Sequence, residues 1–196
     1  SFKPRSDVFT YLIHLGYLAY DKETRTCRIP NKEVRQEWLN AIEEEPGYEV
    51  TNQVIHASKE LLEKTWKGDA QAVAEALDVS HIHVTSNRSY NNEDALQSAI
   101  YLAYLYALNQ YTLVKEMTTG KGFADVVFIP YVPGIPAMIV ELKHNQSAES
   151  ALQQIKDKKY FDSLAHYSGN LLFVGIDYDE KTKTHSCKME RFDKKA

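Results

Sequence analysis

Apolar residues recur at helical spacing from Val8 to Leu18, after which the chain turns polar. Tyr20-Asp21-Lys22-Glu23-Thr24-Arg25 reads as a strand end entering a hairpin turn, with Cys27-Arg28-Ile29-Pro30 as the return strand. Asn31 supplies an N-cap and Glu33 a first-turn acid for a helix through Val34, Trp38, Leu39 and Ile42 that stops at Pro46-Gly47. Helix, hairpin, helix predicts a small winged-helix-like connector over residues 1–46. The acidic run Glu43-Glu44-Glu45 and the lack of a basic recognition face suit a connector or docking element better than a DNA reader.

Residues 47–85 read as a helical lead-in to a second domain, 47–196. Val54, Ile55, Leu61, Leu62, Trp66, Val73, Ala76 and Leu77 keep helical spacing, and Gly68-Asp69 divides them into two helices. His81 and His83 fall in a short alternating stretch that reads as extended and exposed, with no third ligand near enough for a metal. Asn91 or Asn92 then caps a long helix from Glu93 to Gln110, apolar nearly all round. The period changes to two in Tyr111 to Met117, Gly120-Lys121-Gly122 turns the chain, and Phe123 to Ile129 is a second strand. Past Pro130 and Pro133-Gly134, Ala137-Met138-Ile139-Val140 is a continuous apolar run, the mark of a strand buried on both faces. Ser147 caps a helix through Leu152, Ile155 and Leu164 that ends at Gly169-Asn170; Leu171 to Ile176 is another buried strand, and His185 to Met189 an edge strand. The order predicts an α/β sandwich around a mixed sheet.

Composition narrows the function. The 196 residues, 43% hydrophobic, suffice for one principal core, and no apolar run approaches the roughly 20 residues of a bilayer-spanning helix. A soluble, cytoplasmic protein without a membrane partner is expected. The start at Ser1-Phe2-Lys3-Pro4, with neither an initiator Met nor a signal pattern, reads as a piece of a longer chain. Cys27 and Cys187 stand far apart without CxxC spacing, so neither a zinc site nor a disulfide framework is indicated. A net charge of −4 excludes a protein that coats nucleic acid by bulk electrostatics. Any such contact must be local, and Lys143, His144, Lys156, Lys158 and Lys159 form the one candidate patch.

One pair of charges breaks the apolar logic. Glu141 and Lys143 end a buried strand two residues apart, hence on one face. Asp125 lies about as far before the Pro130–Pro136 connection as Glu141 lies after it, so an antiparallel meander sets the two carboxylates side by side. At roughly 4 Å and an effective dielectric near 20, like charges repel by about 4 kcal/mol, which a proton or a hard cation between them relieves. An all-oxygen site without His or Cys suits magnesium, and Lys143 beside it could orient water or offset developing negative charge during phosphodiester hydrolysis. Three other acid-any-Lys triplets exist, at Asp157, Asp179 and Asp193, but none ends a buried strand after a second strand bearing an isolated Asp.

These residues carry a resemblance. The succession Glu93, Gly122-Phe123-Ala124-Asp125, Val140-Glu141-Leu142-Lys143 and Gln154-Ile155-Lys156-Asp157-Lys158-Lys159-Tyr160 resembles the PD-(D/E)XK nuclease superfamily. More closely, it is similar to the nuclease-like domain that bacterial and archaeal proteins carry behind an AAA-ATPase-like domain. Leu15-Gly16-Tyr17-Leu18 and Ile29-Pro30-Asn31-Lys32-Glu33-Val34-Arg35 are similar to the connector between those two domains. The resemblance implies a restriction-endonuclease-like core and Mg2+- or Mn2+-dependent cleavage of nucleic acid, DNA ahead of RNA. It implies metal ligation by Asp125, Glu141, the main-chain carbonyl of Leu142 and, through water, Glu93, with Lys143 as the catalytic lysine. Gln154 takes a place near phosphate or the lysine, and Lys156, Lys159 and Tyr160 take places toward substrate. Glu116 matches an acid common in the group. The implied partners are nucleic acid, an AAA-ATPase-like domain preceding this chain, and a second copy in a homodimer. The alternative is a catalytically silent module that binds nucleic acid or protein within a larger ATPase. No phosphate-cradling GxxxxGK[ST] loop occurs, Gly120-Lys121-Gly122 being a turn.

Overall fold

The computed structural model describes residues 5–23, 25–44, 49–84, 93–119, 122–164, 167 and 169–192. The expected stop at Pro46-Gly47, the cap at Asn91 or Asn92 and the turn at Gly120-Lys121 lie outside the described residues, as do the side chains of Glu43, Glu44, His81, His83 and Glu93. The chain divides into two compact units, Ser1–Asn52 and Gln53–Ala196.

The first unit contains α1 (Arg5–His14), the antiparallel hairpin β1 (Ala19–Asp21) and β2 (Thr26–Arg28), and α2 (Lys32–Glu44). Asn31 caps α2, its Oδ1 accepting from the Val34 N–H at 2.8 Å. α1 stops short of the expected Leu18. Gly16, at φ +80°, lets its own N–H reach the Ile13 carbonyl and that of Tyr17 the Leu12 carbonyl, which closes the helix with its last carbonyls satisfied.

α3 (Glu49–Lys67) and α4 (Ala70–Val84) meet at Gly68 in the second unit, where the same closure recurs and Asp69 caps the next helix through the Ala72 N–H. His81 and His83 therefore stand in the last turn of a helix, correcting the extended reading; tertiary burial of Val73 and Leu77 carries the helix onward. α5 (Glu93–Ala103) gives way to a 3-10 turn (Leu105–Asn109) before the expected end. There the Tyr106 N–H is taken by Ser58 Oγ of α3 at 2.8 Å, so it cannot continue the α-helical ladder. α6 (Ala148–Asp157) starts at Ser147 as expected, but ends before Leu164; Lys159 at φ +50° turns the chain into a 3-10 segment (Tyr160–Leu164).

A five-stranded sheet forms the centre, in the order β3 (Tyr111–Thr119), β4 (Gly122–Pro130), β5 (Ala137–His144), β6 (Leu171–Asp179), β7 (Thr184–Phe192). The first three make the expected antiparallel meander, and β6 lies parallel to β5 across the α6 crossover. β7 closes the edge antiparallel to β6. Ala137 to Leu142 and Leu171 to Tyr178 are buried throughout, as central strands between two helical layers must be. One face packs Leu61, Leu77, Ile100 and Tyr104 against Phe128, Met138 and Val174; the other packs Leu152 and Ile155 against Ile139 and Phe173. On that second face α6 lies so close that a Cβ on Gly175 would stand 2.4 Å from the Ala148 carbonyl oxygen. A mixed sheet flanked by helices is the architecture expected of a restriction-endonuclease-like core.

Candidate active site

The meander register pairs Val126 with Val140, Val127 with Ile139 and Phe128 with Met138, then stops one step before Asp125 and Glu141. On the other side of β4, Lys115 pairs with Val126 and Met117 with Ala124, while Glu116 and Asp125 between them do not pair. Glu116 sits at φ +45°, a conformation side-chain-bearing residues rarely adopt. The alternation of faces slips with it, since Ala124 packs on the same face as Val127. The sheet thus opens locally at Asp125. Its Oδ2 is held by the Leu142 N–H at 2.7 Å, which ties the carboxylate to β5 between Glu141 and Lys143.

Glu141 is buried, at 1% exposure. Its Oε1 accepts from Lys143 Nζ at 3.2 Å and from Gln154 Nε2. The Gln154 amide also donates to the Tyr160 hydroxyl at 3.0 Å, so α6 and the 3-10 segment after it brace the strand carboxylate. Glu141 Oε2 is equally buried and has no hydrogen-bond partner among the described residues. A buried carboxylate oxygen without a donor is costly, and in a native protein such a group calls for an explanation. Burial, and after it the charge of Asp125, push the Glu141 pKa up to about 7; Lys143 and the main chain of Asp125 oppose the rise. The carboxylate of Asp125 therefore acts on buried Glu141 from nearby, and the single ammonium of Lys143 does not cancel the rise.

This donor set fits a hard divalent cation. An orphaned buried carboxylate oxygen, a second carboxylate within electrostatic reach and no soft ligand are the chemistry that magnesium and manganese accept, with waters completing the shell. No three His, Cys, Asp or Glu side chains gather into a metal cage among the described residues. Glu93 opens α5, and its side chain lies outside the described residues. For Leu142 the structure gives its N–H a task, as donor to Asp125.

The structure thus brings Asp125, Glu141, Lys143, Gln154 and Tyr160 together. Lys156 points elsewhere, pairing with Glu190 of β7 at 2.5 Å. Lys159 is exposed at the turn after α6. Tyr160 is buried, and a Cβ on Gly122 would lie 3.7 Å from its hydroxyl, so the β3–β4 hairpin approaches the site there. Tyr101 of α5 was not singled out by sequence, yet the charges of Asp125 and Glu116 both act on its hydroxyl. An aromatic in a helix that reads as apolar all round carries no signal of its own.

A family model described as the PD-(D/E)XK nuclease superfamily matches residues 91–188, from just before α5 into β7. No curated protein matches the chain.

Proposed function

Because this chain belongs to the PD-(D/E)XK nuclease superfamily, we propose that it hydrolyses phosphodiester bonds of nucleic acid, DNA in the first instance, with Mg2+ or Mn2+ at Asp125 and Glu141. The observation that carries the reading is the buried, unpartnered Oε2 of Glu141 beside a second carboxylate. When bound, the cation would polarise a phosphoryl oxygen and lower the pKa of its water. The Leu142 carbonyl and Glu93 would add oxygen ligands.

Each side chain then has a separable task. Lys143 and Gln154 both occupy Glu141 Oε1, which leaves Oε2 to face the ligand volume. Lys143 supplies a fixed positive charge at the flank, suited to stabilising the negative charge that develops on the phosphoryl group. Gln154, held between Glu141 and Tyr160, orients the carboxylate. Lys159, exposed at the turn after α6, contributes toward the phosphate backbone, while buried Tyr160 serves through its bond to Gln154 and Lys156 is engaged with Glu190.

Incubating the protein with supercoiled, linear, branched and single-stranded DNA, with and without Mg2+ or Mn2+, tests the proposal. Metal-dependent cutting is expected in the parent and none in Asp125→Ala, Glu141→Ala or Lys143→Ala, with circular dichroism unchanged. Equal cutting by all four proteins would refute it. DNA binding without cleavage by the parent would leave the silent binding module as the better account.

A further inference from the structure

The Tyr101 hydroxyl is a second buried polar group without a hydrogen-bond partner among the described residues. It lies on α5, on the face of the sheet opposite α6, where its ring packs beside the first core cluster. Lys115 Nζ sits 3.8 Å from the ring centroid, a cation–π contact that pins the ring over β3. Lys115 pairs with Val126, immediately next to the point where Glu116 and Asp125 leave the ladder. The ring is therefore fixed at the opening that exposes Asp125, and its hydroxyl has no bond to make there. A buried hydroxyl left without a partner among the described residues, and reached by the charge of a carboxylate, is where a bridging water belongs.

We propose that Tyr101 is a positioning residue of this site, its hydroxyl donating to a water of the divalent cation held at Asp125. The inference rests on the metal-dependent reading of Asp125 and Glu141. Burial, then the charges of Asp125 and Glu116, raise the Tyr101 pKa to about 12, so the hydroxyl keeps its proton at neutral pH and serves as a donor. The hydroxyl would approach the cation from the α5 side, while Gln154 braces Glu141 from the α6 side. Partners that orient a metal's shell from outside it typically change affinity by roughly ten- to a hundredfold when removed.

The test is calorimetric titration of Mn2+ into the parent, Tyr101→Phe and Asp125→Ala, with melting temperatures of each in EDTA. Tyr101→Phe should bind about tenfold more weakly. Its melting temperature in EDTA should equal or exceed the parent's, because the deleted oxygen has no hydrogen-bond partner among the described residues. Asp125→Ala should not bind. Parent-like affinity in Tyr101→Phe, with binding lost in Asp125→Ala, overturns the role of Tyr101 and leaves the site reading intact. Parent-like affinity in Asp125→Ala overturns both. Weaker binding accompanied by a lower melting temperature in EDTA would assign the hydroxyl a structural bond and overturn the proposal too.

Discussion

Glu141 makes the metal-free protein sensitive to pH in a direction opposite to most acids. A carboxyl held at about 7 in the fold, against 4.5 for an unperturbed glutamate, keeps a proton that the unfolded chain has already released. Below about pH 4.5 both states are protonated and the residue contributes no slope. As pH rises from there toward 7 the folded state binds more protons than the unfolded one, so stability falls, and above 7 the loss is complete. At about 1.4 kcal/mol per pH unit of difference, the full effect is about 3 kcal/mol. Glu141→Gln keeps the acceptor for Lys143 and Gln154 and removes the charge beside Asp125. Urea unfolding in EDTA at steps from about pH 4.5 to pH 8 should show the parent losing about 3 kcal/mol relative to the variant. Adding Mg2+ at the alkaline end should restore the parent and leave the variant unmoved. Parallel stability curves for the two proteins, or an equal Mg2+ effect on both, would refute the account of Glu141 as a buried carboxylate awaiting a cation.

Four further outcomes are expected. Gly175→Ala should destabilise by about 3 kcal/mol in denaturant titrations, because the added carbon meets the Ala148 carbonyl and the Leu152 N–H, backbone that cannot turn aside. Tyr111→Phe should cost about 2 kcal/mol by the same measurement, since its hydroxyl donates to the Pro136 carbonyl and accepts from Trp66 Nε1, each at 2.8 Å, inside the core. Gln154→Leu should weaken Mn2+ binding, read by calorimetry, by roughly tenfold through loss of its hold on Glu141. His185 is kept neutral by burial, which outweighs the pull of Asp78 at 2.8 Å, so its pKa lies below 6.5. Its stability contribution is therefore present above 6.5 and fades as pH falls toward the lower folded value. In the Glu141→Gln background, whose own slope is gone, the acid limb of an unfolding curve should flatten on His185→Gln.

The strands were legible because their signals are local. Ala137 to Val140 and Leu171 to Ile176 are apolar without alternation, which only a strand covered on both faces tolerates, and both proved buried. Helix starts were legible wherever a side chain caps them, as at Asn31 and Ser147, because the capping bond spans three residues. Helix ends were read too far along at Leu18, Gln110 and Leu164, and too early at Leu77. In the interior cases the deciding group is remote in sequence: Ser58 takes the Tyr106 N–H from a different helix.

The sequence by itself determined the sheet's composition, the antiparallel meander and the place of Glu141 and Lys143 near the end of a buried strand, because burial pattern and strand length are written residue by residue. It could not supply the opening at Asp125, which depends on Glu116 adopting positive φ across a strand pair. Nor could it show which oxygen of Glu141 is left without a hydrogen-bond partner among the described residues. Those facts arise where three elements distant along the chain converge, and electrostatics between groups brought together by folding has no period for a sequence to display.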